Sequence, residues 1–370
     1  MKILFVSHST SRTGAPLLLR DIASLILEPG DEFHFVIPDH GSLEPDFLTL
    51  GSVVVDPLYP DELPYWREAK RLIGRIQLLN RIRPEVLYCN TIHSAKWLLY
   101  ARLGRIPTIT HIHELAGGFA ELSFSEHLLV RKLSRRIIAV SDAVRSYLVG
   151  EQRFDPEHIT VVRAGIRVDR FTGSPAGELK TSLDLGKSLV IGTVGRITHV
   201  KGSDLFLDLA VKIRTMFTPE QGLKFLVICS TDDREAYSRF RERLETSGLV
   251  NDVVILENIP DVARYYSLMD VYVSTAREDP FPLVILEAMA SRVPVIAFST
   301  GGIPEALEKS SGELVTPFDI PAMAESVVRL LKDSARRSEI GANGRTRVER
   351  HFDLRQNARE IRRIIDSVVR

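Results

Sequence analysis

Short apolar runs alternate with longer amphipathic segments along the whole chain. Runs rich in Val, Ile, Leu and Phe are typical of buried strands, and the segments between them fit helices. In the first half, strands are predicted at Lys2–Ser7, Phe33–Ile37, Ser52–Val55, Val86–Cys89, Thr108–His111 and Ile137–Val140. In the second half, they are predicted at Leu189–Val194, Lys224–Cys229, Val253–Leu256, Val271–Ser274, Val293–Phe298 and Glu313–Val315. This alternation favours an α/β fold with parallel sheets covered by helices on both faces.

The pattern divides the chain into two similar parts. Between about residues 164 and 187, several glycines and a proline interrupt the periodicity, and no strong apolar run occurs. With about six strands on each side, two doubly wound Rossmann-like domains are favoured over one large sheet. Ligands of such sheets bind beyond the carboxyl ends of the strands, so two facing domains would form a cleft between them.

Composition narrows the class of protein. The 370 residues suit two domains, and 44% hydrophobic with 26% charged residues is typical of a globular chain. Equal numbers of basic and acidic residues, 48 each, argue against a nucleic-acid binder. Cys89 and Cys229 lie in separate apolar runs and are interpreted as buried free thiols. The apolar start is too short for a signal peptide, and no run is long enough to span a membrane, so we expect a cytoplasmic protein.

Charge is unevenly distributed in the first half. Acidic residues dominate from Asp21 to Glu62, and basic residues dominate from there to His113. Residues 66–83 are predicted to form a basic amphipathic helix, with an apolar face made by Leu72, Ile73, Ile76 and Leu79. Such a helix either packs on its own sheet or makes peripheral contact with an anionic membrane. For a cytoplasmic protein, that contact would be with the inner face of the membrane.

The segment 278–290 is the most informative for function. It predicts a strand end, a turn stiffened by proline, and a buried helix that starts at Pro282. The free amides at a helix start attract phosphate. Asp279 lies just before this helix, and Glu287 lies eight residues later, within it. This combination suits a nucleotide-sugar pocket. The alternative is an ordinary buried helix with Glu287 in a structural ion pair.

Two strand-to-helix loops carry further candidates. Gly195 and Arg196 end a strand, and Lys201 precedes the next helix, so two cations could grip a diphosphate. In the first half, Gly14 and Ala15 are small enough for close approach of a ligand to the backbone, although a plain turn explains them equally well.

Metal and dinucleotide sites are not predicted. His111 and His113 lie on one side of a strand, but two such ligands without a third make a poor metal site. The chain contains no Asp-x-Asp pair and no Gly-x-Gly-x-x-Gly fingerprint.

In series, these residues resemble the family-four retaining glycosyltransferases, which have the two-domain GT-B fold. The matching segments, in chain order, are Gly14-Ala15, His113, Ala139-Val140-Ser141, Gly165-Ile166, Phe171, Gly195-Arg196, Lys201-Gly202, Asp270–Val273, Asp279–Leu283, Glu287–Ala290, Pro294–Ala297 and Gly301–Glu305. The resemblance implies a first domain of residues 1–166 that binds the acceptor and a second domain of 167–353 that binds the donor. It also implies a final helix, about 354–370, that returns to the first domain.

The resemblance implies the following site, with no metal and no cofactor. Arg196 and Lys201 would hold the donor diphosphate, together with the amides around Leu283 and Val284. Glu287 would bind ribose, Asp279 would reach the sugar, and His113 would contact the sugar during transfer. The remaining donor-site candidates are Gly14, Ala15, Gly195, Asn258, Ile259, Phe281 and Pro282. The partners implied are a nucleoside-diphosphate-sugar donor and a glycan or lipid-linked acceptor in surface polysaccharide or glycoconjugate synthesis.

Two other functions stay open, and departures from the family pattern support the second of them. Asp279 stands where the family usually has Glu, and Ala164 stands where it usually has Asn. A nucleotide-sugar epimerase on the same fold, or a subunit that binds nucleotide sugar without catalysis, are the alternatives.

Overall fold

The computed structural model describes residues 1–56, 65–172, 177–217 and 222–369, with the backbone alone over 65–71. The chain divides into two compact units. Unit 1 comprises Met1–Ala164 and Leu354–Arg370, and unit 2 comprises Gly165–Asp353.

Unit 1 is built on a sheet of seven parallel strands in the order β3-β2-β1-β4-β5-β6-β7. The strands are β1 (Lys2–Ser7), β2 (Glu32–Ile37), β3 (Ser52–Val55), β4 (Val86–Asn90), β5 (Thr108–Ile112), β6 (Arg136–Ala139) and β7 (Ile159–Val161). Its helices before the crossing to unit 2 are α1 (Gly14–Ile26), α2 (Glu44–Leu48), α3 (Tyr65–Ile82), α4 (Ala95–Leu103), α5 (Ala116–Ala120), α6 (Phe124–Leu133) and α7 (Asp142–Gly150).

Unit 2 is built on a sheet of six parallel strands in the order β10-β9-β8-β11-β12-β13. The strands are β8 (Leu189–Arg196), β9 (Leu223–Ser230), β10 (Val253–Glu257), β11 (Val271–Ser274), β12 (Val295–Phe298) and β13 (Glu313–Val315). The helices are α8 (Gly177–Ser182), α9 (Ser203–Arg214), α10 (Arg234–Thr246), α11 (Leu283–Ala290), α12 (Ile303–Ala306), α13 (Ile320–Lys332) and α14 (Ser334–His351).

The last helix, α15 (Leu354–Val369), belongs to unit 1 although it follows unit 2 in the chain. Its buried side chains recur at helical spacing, and it packs on α1. Arg362 anchors it by ion pairs with Asp31 and Glu28 and by a hydrogen bond to the Ile26 carbonyl at 2.8 Å. The Asp31 carboxyl has a lowered pKa, despite the opposing effect of burial, because Arg362 and the N-terminal ammonium both stabilise its charge.

The sheets are buried in their middle strands and more exposed at their edges. All residues of β4, β5, β11 and β12 are buried, and three of these strands, β4, β11 and β12, read largely as continuous apolar runs rather than alternating ones. The edge strand β3 has no buried residue. This contrast is expected for parallel sheets with helices on both faces.

Three sequence-based expectations need correction. The strand β7 was not predicted, because its three residues are too short to give a pattern. The helix α11 begins at Leu283, one residue later than expected, with Pro282 as its N-cap. Among the described side chains of α3, the predicted Leu79 is buried together with Leu78 and Ile82, and the predicted Ile76 is partly buried, whereas Leu72 and Ile73 are exposed.

Arg75 explains the altered face of α3, because this basic residue is itself buried. Its Nε donates to Asp56 at 2.6 Å and its Nη1 donates to the Tyr100 hydroxyl at 3.0 Å. The guanidinium also lies over the Trp97 ring, 5.5 Å from its centroid. Arg75 is therefore buried and paired, whereas the sequence predicted that the basic residues of this helix would face solvent. In the described part of the chain, no helix combines the length and hydropathy needed to cross a bilayer.

Candidate functional site

In unit 2, the topological switch point lies between β8 and β11. The chain leaves β8 towards β9 on one side of the sheet, whereas β11 pairs with β8 on the other side. Loops that follow two such strands diverge and leave a crevice at the carboxyl ends, where ligands of open α/β sheets bind. The loop after β8 carries Lys201, and the loop after β11 carries Asp279.

Lys201 and Asp279 join these two loops. The Lys201 Nζ lies 2.7 Å from Asp279 Oδ2, and the exposed fractions of the two side chains are 31% and 7%. Lys201 is the only side chain in the described residues that bonds to the Asp279 carboxylate. The two residues therefore hold each other across the switch point, with the ammonium still open to solvent.

A second ion pair fixes the same two loops. Arg277 forms a bidentate pair with Asp204 of α9, at 2.7 Å for each bond, and donates to the His199 carbonyl at 2.8 Å. The pKa of Asp204 is lowered by the hydrogen bonds from Arg277, and the pKa of Arg277 is raised by the same carboxylate. Bidentate guanidinium pairs restrict orientation as well as distance, so this pair holds Lys201 in place.

Two glycines let the backbones approach closely. Gly202 has a φ of +68°, and a Cβ there would lie 1.9 Å from the Thr275 carbonyl oxygen. Gly301 has a φ of +52°, and a Cβ there would lie 2.2 Å from the Asp279 carbonyl oxygen. No side chain fits at either position, which accounts for the glycines on both sides of the switch point.

The start of α11 has the properties of an anion site. Its N-cap is Pro282, which has no side-chain hydrogen bond, and no acid occurs in its first turn. The amides of Leu283 and Val284 have no acceptor among the described residues. Free amides at a helix start carry partial positive charge and bind anions. Phe281, just before the helix, is buried, with its ring 5.6 Å from that of Phe352.

Arg196 and Gly195 end strand β8. Gly195 has a φ of +155° and open space where a Cβ would stand. Arg196 is exposed, and its guanidinium has no hydrogen-bond or ion-pair partner within the described ranges of the chain. A cation without a protein partner at this end of the sheet is available to a ligand.

The other predicted residues of unit 2 lie further along the carboxyl edge. Glu287, half-buried in α11, accepts a hydrogen bond of 2.7 Å from the Tyr266 hydroxyl. Asn258, just after β10, bonds through its side chain to the backbone amide and hydroxyl of Thr231. Ile259 beside it is half-buried. The structure thus joins Lys201 to Asp279 directly, but shows no direct bond from either to Glu287 or Asn258.

In unit 1, the switch point lies between β1 and β4. Gly14 is the first residue of α1, and the carbonyl of Ala15 accepts a hydrogen bond of 3.0 Å from Asn90 Nδ2 at the end of β4. His113, just after β5, lies with its Nε2 3.0 Å from Asn90 Oδ1. Asn90 therefore links the two regions that the sequence singled out in this unit.

Burial disfavours the charged forms of two histidines near this edge, His111 and His113. Burial lowers the pKa of His111 to about 3. Burial, together with the neighbouring His111 and His8, lowers the pKa of His113 well below its ordinary value. Conversely, burial raises the pKa of Glu114 to about 8. In the described residues, no three histidine, cysteine or acidic side chains are grouped so as to hold a metal ion.

Comparison with known proteins identifies the family. Residues 13–170 match the family described as Glycosyltransferase Family 4, and residues 188–333 match Glycosyl transferases group 1. The capsular polysaccharide biosynthesis glycosyltransferase CapM of Staphylococcus aureus is 30% identical over 368 residues, which cover 95% of this chain and 94% of CapM. The chain belongs to the group 1 glycosyltransferases.

This glycosyltransferase is also similar to a lipopolysaccharide core biosynthesis mannosyltransferase, LpsB of Rhizobium meliloti. The two are 28% identical over 248 residues, covering 65% of this chain and 68% of LpsB. Among solved structures, HepE of Anabaena in complex with UDP and glucose aligns with a TM-score of 0.87 and 21% identity, covering 99% of this chain and 100% of HepE. That likeness confirms the predicted α/β GT-B fold.

Sequence reasoning missed four residues that organise the glycosyltransferase's two switch points: Asn90, Asp204, Tyr266 and Arg277. Asn90 had a readable signal, since it is a polar residue directly after a buried strand. Arg277 and Asp204 had none, because their partnership spans 73 positions and depends on strand order.

Proposed function

We propose that this glycosyltransferase is retaining and metal-independent, and that it moves a sugar from a nucleoside-diphosphate-sugar to a glycan or lipid-linked acceptor in surface polysaccharide or glycoconjugate synthesis. The observation that carries the proposal is the switch point of unit 2. Arg196, the part-exposed Lys201 and the first amides of α11 all follow β8 or β11 there, and neither Arg196 nor those amides have a partner among the described residues. The names of CapM and LpsB support the class of product, and the UDP complex of HepE supports the class of donor.

The donor diphosphate is assigned to the cations and amides. Arg196 offers a planar fork of N–H donors to phosphate oxygens. Lys201 has three N–H donors, of which Asp279 needs one, so the ammonium can also bind phosphate. The amides of Leu283 and Val284 complete the set. Asn258 and Ile259 are assigned to the base and Glu287 to the ribose, with Tyr266 holding the Glu287 carboxylate.

The chemistry follows from where charge develops. The bond between the anomeric carbon and the diphosphate oxygen breaks, a bond from that carbon to the acceptor oxygen forms, and the acceptor's proton passes to the departing phosphate. Negative charge grows on the diphosphate, so preplaced donors stabilise the transition state more than the ground state. The anomeric configuration is retained if the acceptor attacks the same face of the sugar from which the diphosphate departs. Asp279 and His113 are assigned to the hydroxyls of the sugar.

We also propose that α3 makes peripheral contact with an anionic membrane surface at the cytoplasmic face. Two apolar residues support this proposal, since Leu72 is 39% exposed and Ile73 is 54% exposed. They lie on a helix that also carries the basic residue Arg81. Flotation with anionic vesicles tests it, because a Leu72→Ser, Ile73→Ser variant should stay unbound where the unchanged protein floats.

The function is tested by incubating the protein in EDTA with UDP-, GDP-, ADP- and dTDP-sugars, with and without glycan or lipid-linked acceptors. A transferase releases nucleoside diphosphate, and NMR of the product gives its anomeric configuration. Loss of release in Arg196→Ala, with release unchanged in Arg350→Ala, supports the site; Arg350 is an exposed arginine of α14. A new nucleotide sugar formed without acceptor would indicate an epimerase. A strict requirement for divalent metal, or an inverted product, would refute the mechanism.

A further inference from the structure

Asn90 occupies a central position in unit 1. It is the last residue of β4, is fully buried, and stands at the switch point between β1 and β4. The two polar atoms of its side chain bond to separate elements, Nδ2 to the Ala15 carbonyl at 3.0 Å and Oδ1 to His113 Nε2 at 3.0 Å. One carboxamide therefore connects the start of α1 with the loop that follows β5.

The bond to Ala15 determines the protonation of His113. A backbone carbonyl only accepts hydrogen bonds, so the Asn90 atom that faces it must be the NH₂ group. The oxygen then faces His113 Nε2, which must carry the proton of a neutral ring. The Nδ1 atom is left as an acceptor, and it has no hydrogen-bond partner in the described part of the chain.

The backbone next to Asn90 is strained. Thr91 has a φ of 100° and a ψ of 160°, a region that is almost restricted to glycine and that costs about 1–3 kcal/mol for other residues. The Thr91 amide donates to the His111 carbonyl at 2.9 Å, which ties this turn to β5. Strain of this kind persists where the surrounding structure holds a functional geometry in place.

We infer that Asn90 is a positioning residue: it orients the His113 ring and keeps its proton on Nε2, so that Nδ1 accepts a hydrogen bond from a hydroxyl of the sugar being transferred. This inference rests on the proposed function, which assigns His113 to that sugar. His113 is the residue that contacts substrate, and Asn90 acts through it.

The electrostatic surroundings agree with a neutral ring. The titratable groups that interact with His113 are His111 on β5, His8 after β1, and Glu114, whose carboxylate accepts from the His113 amide at 2.8 Å. Burial is the largest cause that lowers the pKa of His113, and a positive charge on His111 or His8 would lower it further. A neutral ring can accept a hydrogen bond at Nδ1, whereas a protonated ring would lose that capacity.

The test compares Asn90→Ala, Asn90→Asp, His113→Ala and the Asn90→Ala, His113→Ala double variant. We expect Asn90→Ala to lower kcat about 10- to 100-fold with little change in donor KM, because a displaced group costs mainly the chemical step. The double variant should be no slower than His113→Ala. In ¹⁵N-histidine spectra, the slowly exchanging Nε2 proton of His113 should be present in the unchanged protein and lost in Asn90→Ala.

Asn90→Asp keeps the acceptor for Nε2–H and adds a charge that favours the protonated ring. As pH decreases, its rate should therefore begin to fall at a higher pH than the rate of the unchanged protein. This variant also decides the case if Asn90→Ala fails to fold. Two results would overturn the inference. One is a double variant whose loss of rate equals the product of the losses in Asn90→Ala and His113→Ala. The other is a pH profile of Asn90→Asp that matches that of the unchanged protein. Full activity in His113→Ala would instead refute the proposed contact with the sugar.

Discussion

The two cations of the unit 2 switch point should differ in their effect on stability. Lys201 pairs with Asp279, whereas Arg196 has no partner within the described residues. We therefore expect Lys201→Ala to lose both stability and sugar transfer, and Arg196→Ala to lose transfer alone. The difference separates the structural from the functional contribution of each charge.

The size of the effect follows from burial. Removing one partner of a fully buried ion pair costs about 3–5 kcal/mol, because the remaining charge has lost its compensation. Asp279 keeps only 7% of its side chain exposed, but Lys201 keeps 31%, so water already screens part of the pair. We expect about 1–3 kcal/mol for Lys201→Ala and less than about 0.5 kcal/mol for Arg196→Ala.

The assay is urea unfolding followed by far-UV circular dichroism. Tryptophan fluorescence is unsuitable here, because Trp66 and Trp97, the two tryptophans of the chain, both belong to unit 1. Hydrogen exchange at the Gly302 amide gives a local reading, since this amide donates to the Asp279 carbonyl at 2.8 Å.

Two controls complete the experiment. Lys212→Ala removes an exposed lysine of α9 and should change neither property. Adding Asp279→Asn to Lys201→Ala should recover most of the lost stability, because the orphaned carboxylate becomes a neutral amide. Equal stability of Lys201→Ala and Arg196→Ala, within about 0.5 kcal/mol, would show that the pair does not compensate a buried charge.

Two further predictions concern a titrating carboxyl and a close backbone contact. The pKa of Glu114 is raised by burial from 4.5 to about 8, so the native state holds the proton more tightly and this residue's contribution to stability is lost as pH rises through that window. Glu114→Gln should remove that loss, which is measured as a smaller decline in the free energy of urea unfolding than in the original protein. Glu151→Gln, at an exposed position of the same unit, is the control, and parallel curves for Glu114→Gln and the original protein would contradict the prediction. Gly301→Ala should cost about 2 kcal/mol or more and abolish transfer, because its Cβ would strike the Asp279 carbonyl. Gly248→Ala, with a φ of +75° but open space around it, should cost about 1 kcal/mol and leave transfer intact; equal losses in the two variants would refute the steric argument.

The sequence carried most of the architecture. Apolar runs located twelve of the strands to within two residues at either end, because parallel strands buried on both faces must be apolar along their length. The same reasoning overlooked β7, whose three residues leave too short a pattern. For α3, the hydrophobic period placed the helix to within one residue, but it did not predict that Arg75 would be buried in an ion pair and that Leu72 and Ile73 would be exposed.

For the candidate site, the sequence determined which chemistry is present, and only the tertiary structure decided which groups meet. Two cations after a strand, a helix start without a cap and a histidine after a strand can all be read locally, because each depends on residues that are close in the chain. The bonds from Lys201 to Asp279 and from Asn90 to His113 join residues that are 78 and 23 positions apart. Such pairs form only because strand order places the ends of neighbouring strands side by side, and strand order is a property of the folded sheet.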